Sequence, residues 1–409
     1  MSRVRLQLIE SCSFGTWEDH NTRISYFLVI FIIVAVLYGV IPIAGAFFNR
    51  YKWGRFRKRF DNLRLAPLLD YRQYRQIGNA ASGEGQGGIF RFAGEIESIT
   101  DGKTLWVKGS DLTISVSLEK TNCWLLPIHE GGGVPDAPEQ IHWNRISTLT
   151  EGARVFIGGS LKMQNNRFIF VSSKEKPLIV IFYSCPDSSL TDRIIRAART
   201  RNEYWNNITP VSLAMGALAL VYIAASFLNR PAFRMTVITA LVAIFTPILP
   251  VFPPGFLFTV LYRRMTWDAR KYRAYWDLAL LPMRFLSPGQ ESCILNTGEK
   301  YGFLKYDSLP PEAAQENIPF LIPEHAKEGK KAQWHIFGVI NEGAKLPVKS
   351  TDPHVSFGIL HDNPVNIARR YAIKAYILEV FAWLVLFLGI GINIVFIFLI
   401  LFLLKGISF

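Results

Sequence analysis

Four stretches that contain no Asp, Glu, Lys or Arg, residues 24–48, 208–228, 235–262 and 380–404, constrain this 409-residue chain more than anything else in it. They are 25, 21, 28 and 25 residues long. About 20 helical residues cover a hydrocarbon core of about 30 Å, so each is long enough to span a bilayer. Helices buried in a soluble core are usually shorter and carry a polar stripe. The expected class is an α+β integral membrane protein with four transmembrane helices. Pro247, Pro250, Pro253 and Pro254 each remove a backbone donor from the third stretch, which predicts a kink or break there.

Orientation follows from the flanks, because Lys and Arg close to a span stay on the cytoplasmic side. Nine basic residues lie between Arg50 and Arg75; Arg193, Arg196, Arg199 and Arg201 precede the second span. Arg263, Arg264, Arg270, Lys271 and Arg273 follow the third, and Arg369, Arg370 and Lys374 precede the fourth. If every stretch spans, these 21 share one face, while six (Arg3, Arg5, Arg23, Arg230, Arg234 and Lys405) take the other. The expectation is a protein integral to the inner or plasma membrane, with both termini outside and both large loops cytoplasmic. Residues 1–23 are mixed and polar, and the run after them is too long for a cleavable signal core, so it reads as a signal anchor.

A net charge of +13 invites a nucleic-acid reading, but its distribution argues against one. Between Ser82 and Asp187 there are ten basic and twelve acidic residues, and between Glu291 and Asp362 seven and ten. The excess sits in juxtamembrane segments, residues 49–81, 188–207, 263–287 and 366–379, two of which interleave it with aromatic rings. Such residues suit anionic headgroups, each basic one contributing about 1 kcal/mol near the surface. The expected membrane-surface residues are Arg50, Lys52, Trp53, Arg55, Arg57, Lys58 and Arg59 in the first, and Arg263, Arg264, Trp267, Arg270, Lys271 and Arg273 in the third. The partners implied are a bilayer with anionic headgroups and a protein of unspecified identity, not nucleic acid.

Residues 82–187 read as a β domain. Phe90–Ile99, Lys103–Lys108, Thr113–Leu118, Arg154–Leu161, Arg167–Ser172 and Leu178–Tyr183 are strand candidates, with Asp101-Gly102 and Asn165-Asn166 as turns. Three strands, an irregular segment and two more give the order of a small Greek-key barrel of the OB type. That likeness says little about function. The glycines between Gly83 and Gly88 lack the following helix or Gly-Lys-Ser/Thr that a phosphate cradle needs, and read as a linker. Residues 288–365 form a second, smaller β domain, with strand candidates at 292–296, 301–306, 319–322, 334–340 and 355–360.

The two halves point to a tandem duplication. Val155–Gly159 can be laid on Trp334–Gly338, after which each copy runs through a strand, a proline (Pro186 or Pro364), a basic segment and a span. Arg55, Arg57, Phe60 and Asp61 share spacing with Lys271, Arg273, Trp276 and Asp277. A second register, Leu105–Lys108 on Leu346–Lys349, leaves the alignment open, as does chance similarity.

Chemistry is sparse. No residues assemble into a catalytic, cofactor-binding or metal-binding constellation by spacing, and Cys12, Cys123, Cys185 and Cys293 form no paired motif. Glu379 stands at the mouth of the fourth span, where a carboxylate can still reach the interface. Asn393, with Gly389 and Gly391, lies deeper in that span and fits helix packing, an amide bond there contributing about 1 kcal/mol. The expected function is a noncatalytic multi-pass protein that presents two β domains at the cytoplasmic membrane face for partner binding or assembly. A transporter or channel component using the third span, and a membrane-surface enzyme acting on lipid or glycan, are the alternatives.

Overall fold

The computed structural model describes residues 25–80, 88–119, 121–126, 138–142, 152–164, 167–173, 177–200, 206–251, 255–287, 289–295, 299–308, 318, 320–322, 332–340 and 354–405. The 1–23 segment, Gly83 to Gly87, Asn165-Asn166, Pro253, Pro254, Pro319 and the Leu346–Lys349 register lie outside them. The chain mixes helix and strand, and four helices are long and apolar enough to cross a membrane. It divides into two compact units. A helical unit takes Met1–Trp53, Asn202–Thr266 and Val380–Phe409; a β unit takes Gly54–Arg201 and Trp267–Glu379.

In the helical unit, α1 (Ser25–Arg64) begins in the first apolar run and carries a π-helical stretch at Val34–Val40, just before Pro42. Pro42 cannot donate an amide to the preceding turn, and the wider winding accommodates it. Ile30 and Tyr38 of α1 pack with Leu220 and Ala224 of α4 (Ile208–Phe227) and with Val237, Ala240 and Ala243 of α5 (Arg234–Ile244). The small residues let these helices approach without a hydrophobic driving force from solvent. The third apolar run is broken: α5 gives way to a 3-10 turn at Thr246–Val251, which holds Pro247 and Pro250, and α6 (Phe256–Leu280) starts afresh. The candidate span in this region is Pro231–Ile248, shorter and earlier than the 235–262 run suggests.

In the β unit, β1 (Ile89–Thr100), β2 (Thr104–Lys108) and β3 (Thr113–Ser117) form an antiparallel meander. Asp101 and Gly102 both take positive φ, as a hairpin turn between right-twisted strands requires. β6 (Arg154–Gln164) pairs antiparallel with the first half of β1 and with β7 (Arg167–Val171), and β7 runs parallel to β3. The ring β1-β2-β3-β7-β6 therefore closes on itself. Leu105, Val107, Ile114, Val116, Ile157 and Phe170 fill it. β8 (Ile179–Tyr183) lies along the other part of β6 and leads through parallel β4 (Asn122–Leu125) to β5 (Glu139–Ile141), two strands the sequence pattern did not reveal. A short helix, α2 (Tyr71–Ala80), sets Tyr74 edge-on to Phe168 at 5.3 Å.

The second sheet holds β9 (Ser292–Ile294), β10 (Lys300–Tyr306), β11 (Phe320–Leu321), β12 (Trp334–Val339) and β13 (Phe357–Leu360) in the order β11-β13-β12-β10-β9. Its pairings β10-β12-β13-β11 are antiparallel, antiparallel and parallel. Those of β1-β6-β8-β4 have the same senses, and the strands follow the same chain order. Each set is followed by a helix, α3 (Asp187–Thr200) after β8 and α7 (Pro364–Lys405) after β13. Ile195 of α3 shares a core with Ala274 and Leu278 of α6, Tyr301, Phe337 and Ile367, so both sheets belong to one packed body.

Candidate functional site

The basic stretch of α1 is amphipathic. Trp53, Phe56, Phe60 and Leu63 recur at helical spacing and turn inward, Trp53 being 2% exposed, while Arg50, Lys52, Arg55 and Lys58 stay exposed. Phe56 meets Trp124 at 4.4 Å and Phe60 meets Phe156 of β6 at 5.4 Å. Each such ring contributes roughly 1.5–3 kcal/mol by leaving water. Trp53 therefore does not share the exposed face of its basic neighbours. Arg57 and Arg59 are half-buried, and Arg57 donates to the Ala198 carbonyl at 3.3 Å. On α6, Arg263 and Arg264 are exposed, whereas Trp267, Arg270, Lys271 and Arg273 are half-buried.

Arg273 grips Glu379 through two parallel hydrogen bonds of 2.5 Å, Nε to Oε1 and Nη2 to Oε2. This fork geometry neutralises the carboxylate noted at the mouth of the fourth span. Beside it lies a cluster of rings and cations. Tyr272 and Tyr371 stack at 5.9 Å, and Tyr275 closes the trio at 6.4 and 5.4 Å from them. Arg196 and Lys271 lie 5.3 and 5.8 Å from the Tyr275 ring, and Lys374 lies 5.4 Å from that of Tyr272. Three helices supply these groups, which is why spacing along one segment did not unite them.

Deeper in the β unit, Arg64 and Arg91 are buried to 3% and 4% exposure. Arg64 Nη1 donates to the His354 carbonyl at 2.7 Å, and its Nε lies 3.6 Å from Asp61 Oδ1. The other Asp61 oxygen pairs with Arg284, and Arg91 Nε donates to the Ala66 carbonyl at 2.7 Å. The Tyr301 hydroxyl donates to Val355 at 3.4 Å. Burial lowers Arg64 to about 10 and, with Arg64 nearby, lowers Arg91 to about 9, so both stay charged at neutral pH. Burial first, then Arg91 and Arg64, holds the His354 imidazole well below its ordinary value and therefore neutral. The cluster satisfies carbonyls contributed by segments from both halves of the β unit. Its residues come together from 223 and 290 positions apart, beyond the reach of motif reading.

In the helical unit, Asn393 Oδ1 accepts from the Gly255 amide at 3.1 Å, capping the start of α6. A Cβ on Gly389 would stand 2.7 Å from Phe258, so the absence of a side chain permits that contact; Gly391 faces open space and takes no part. Asn393 is the fourteenth residue of the 380–404 run, so the break in the third run lies at the middle of the fourth. Among the described residues, no group of three or more His, Cys, Asp or Glu side chains is placed to hold a metal ion. Comparison with protein-family models, curated proteins and solved structures finds no match.

Proposed function

We propose that this chain is a noncatalytic multi-pass membrane protein that holds its β unit at the anionic cytoplasmic face, where the sheets serve partner binding or assembly. The observation that carries the reading is the division of labour on α1: Trp53, Phe56 and Phe60 are buried, while Arg50, Lys52, Arg55 and Lys58 remain exposed, with Tyr51, next to an apolar run. The OB-like reading is supported by the β1-β2-β3-β7-β6 ring with parallel β3 and β7. Duplication is supported by the shared order and senses of β1-β6-β8-β4 and β10-β12-β13-β11. The transporter reading draws on the mid-span break capped by Asn393, yet the four apolar runs hold no ionisable Asp, Glu, Lys or Arg to bind a charged substrate.

Orientation is the testable core of this proposal. Cys123 is 0% exposed and would escape a thiol reagent on either side of the membrane, so the informative probe is Ile294, 78% exposed on β9. In a Cys12→Ser background, an Ile294→Cys protein in intact cells should resist a membrane-impermeant maleimide and react once the membrane is opened. Reaction before opening would place the β unit outside and defeat the reading.

A further inference from the structure

The first apolar run changes its winding midway, and its backbone hydrogen bonds show what holds that change. At the end of the π stretch of α1 the Ile41 amide reaches back five residues, to the Val36 carbonyl. The next carbonyl, that of Leu37, would by the same rule take its donor from residue 42, and Pro42 has no amide hydrogen. The donor comes from another helix: the Ser212 hydroxyl of α4 donates to the Leu37 carbonyl. In an α winding bonds reach back four residues, and the carbonyl that Pro42 deprives would be that of Tyr38 instead. Proline thus withholds one bond in either winding, but only in the π winding is the deprived carbonyl the one that Ser212 reaches. The winding also decides which way the two ends of the run face. An α-helix turns about 100° per residue, so Tyr26 and Pro42, 16 residues apart, would stand about 160° apart around a uniform α-helix. Both nevertheless face α4. Tyr26 packs edge-on to Phe227 at 4.6 Å, and the Pro42 carbonyl accepts from Asn206 Nδ2, just before α4, at 3.4 Å. Between them the Tyr38 ring lies on Gly216, where a Cβ would stand 2.3 Å from it. The π stretch, with more residues per turn, takes up the difference.

We propose that α1 is jointed at the π stretch and that Ser212 sets the joint. With its hydroxyl on the Leu37 carbonyl, both ends of the run face α4; without it the stretch rewinds to α and turns the outer end, with Tyr26, away from Phe227. This conformational device goes beyond the functional reading above and holds for either orientation in a membrane. Thiol crosslinking of the full-length protein tests it, with Tyr26→Cys and Phe227→Cys in a background whose native cysteines are replaced by alanine. A short bifunctional methanethiosulfonate should join this pair readily when Ser212 is intact. Ser212→Ala should lower the yield on the order of fivefold, the scale of one lost hydrogen bond. Ser212→Thr, which keeps the hydroxyl, should restore it. A second pair, Phe227→Cys with Phe233→Cys, replaces rings that lie 4.9 Å apart and involves no residue of α1, so it should be joined alike in all three proteins.

An unchanged yield for the first pair in Ser212→Ala, or a loss in Ser212→Thr as large as that in Ser212→Ala, would overturn the joint. So would a loss at both pairs in Ser212→Ala, since Ser212 would then hold the helices together rather than set the winding of one. Labelling at Ile294→Cys bears on orientation alone and leaves this result untouched.

Discussion

Among the described residues, Asp61 is the carboxylate set against Arg64 and Arg284, with Arg91 close enough to feel Arg64. Removing its charge takes the counter-charge from the buried Arg64 guanidinium, while Arg284, 46% exposed, is screened by water; breaking a buried pair costs about 3–5 kcal/mol. Arg91→Leu orphans the Ala66 carbonyl and relieves a like-charge contact, for about 1–3 kcal/mol. Asp61→Asn should therefore lower the thermal midpoint in detergent more than Arg91→Leu does; the opposite order would show that Arg284 is dispensable to the balance. At this scale, exposed charge was legible from the sequence and buried charge was not. Arg50, Lys52, Arg55 and Lys58, read from the sequence as membrane-surface residues, are exposed. Arg64 looked like one more basic neighbour, since its burial depends on a carbonyl 290 residues away. Aromatic residues beside basic ones suit either a headgroup layer or a core, and for Phe56 and Phe60 the sheet behind them decides which.

β1 is the element on which the closed ring of strands turns. Its first half pairs with β6 and its second with β2, and Glu95 has a partner on both sides. At Gly94, just before the handover, a Cβ would collide with the Lys108 backbone of β2. Gly94→Val should cost about 1–3 kcal/mol or more, as overpacking does, and should speed limited proteolysis between β1 and β2; an unchanged cleavage rate would mean that the ring tolerates a wider seam. The strands around this seam were readable from alternation and from Asp101-Gly102, whereas β4 and β5 were hidden by length, having four and three residues. The proline-rich third run announced a break but not its location. The cap from Asn393, a residue of another helix, settles where α6 begins.

Across the whole molecule, burial is the leading cause that lowers His335, His354 and His361 in the folded state. Each binds fewer protons folded than unfolded, so the stability it permits is fully present above about pH 6.5, the ordinary imidazole value, and is lost as pH falls below it. Burial raises Asp192, which pulls the other way nearer the carboxylate range. The thermal midpoint should drop on acidification through about pH 6, and His354→Phe, which keeps a ring against Phe156, should flatten that slope. An unaltered slope would assign the effect to His335 and His361. The two β loops, read as separate domains, lie in one compact unit: Ile195 of α3 shares a core with the second sheet, and His354 meets Phe156 of β6, contacts no single segment displays.

The β unit is assembled from two lengths of chain with the second and third apolar runs between them. That arrangement imposes an order on synthesis. Arg64 leaves the ribosome 290 residues ahead of His354, an interval of about 15–60 s at ordinary elongation rates. During it the β1–β8 strands can close, while Asp61 waits for Arg284 and Arg64 for the His354 carbonyl. The stretch of the β unit made last is thus the one that seals the charge of the stretch made first.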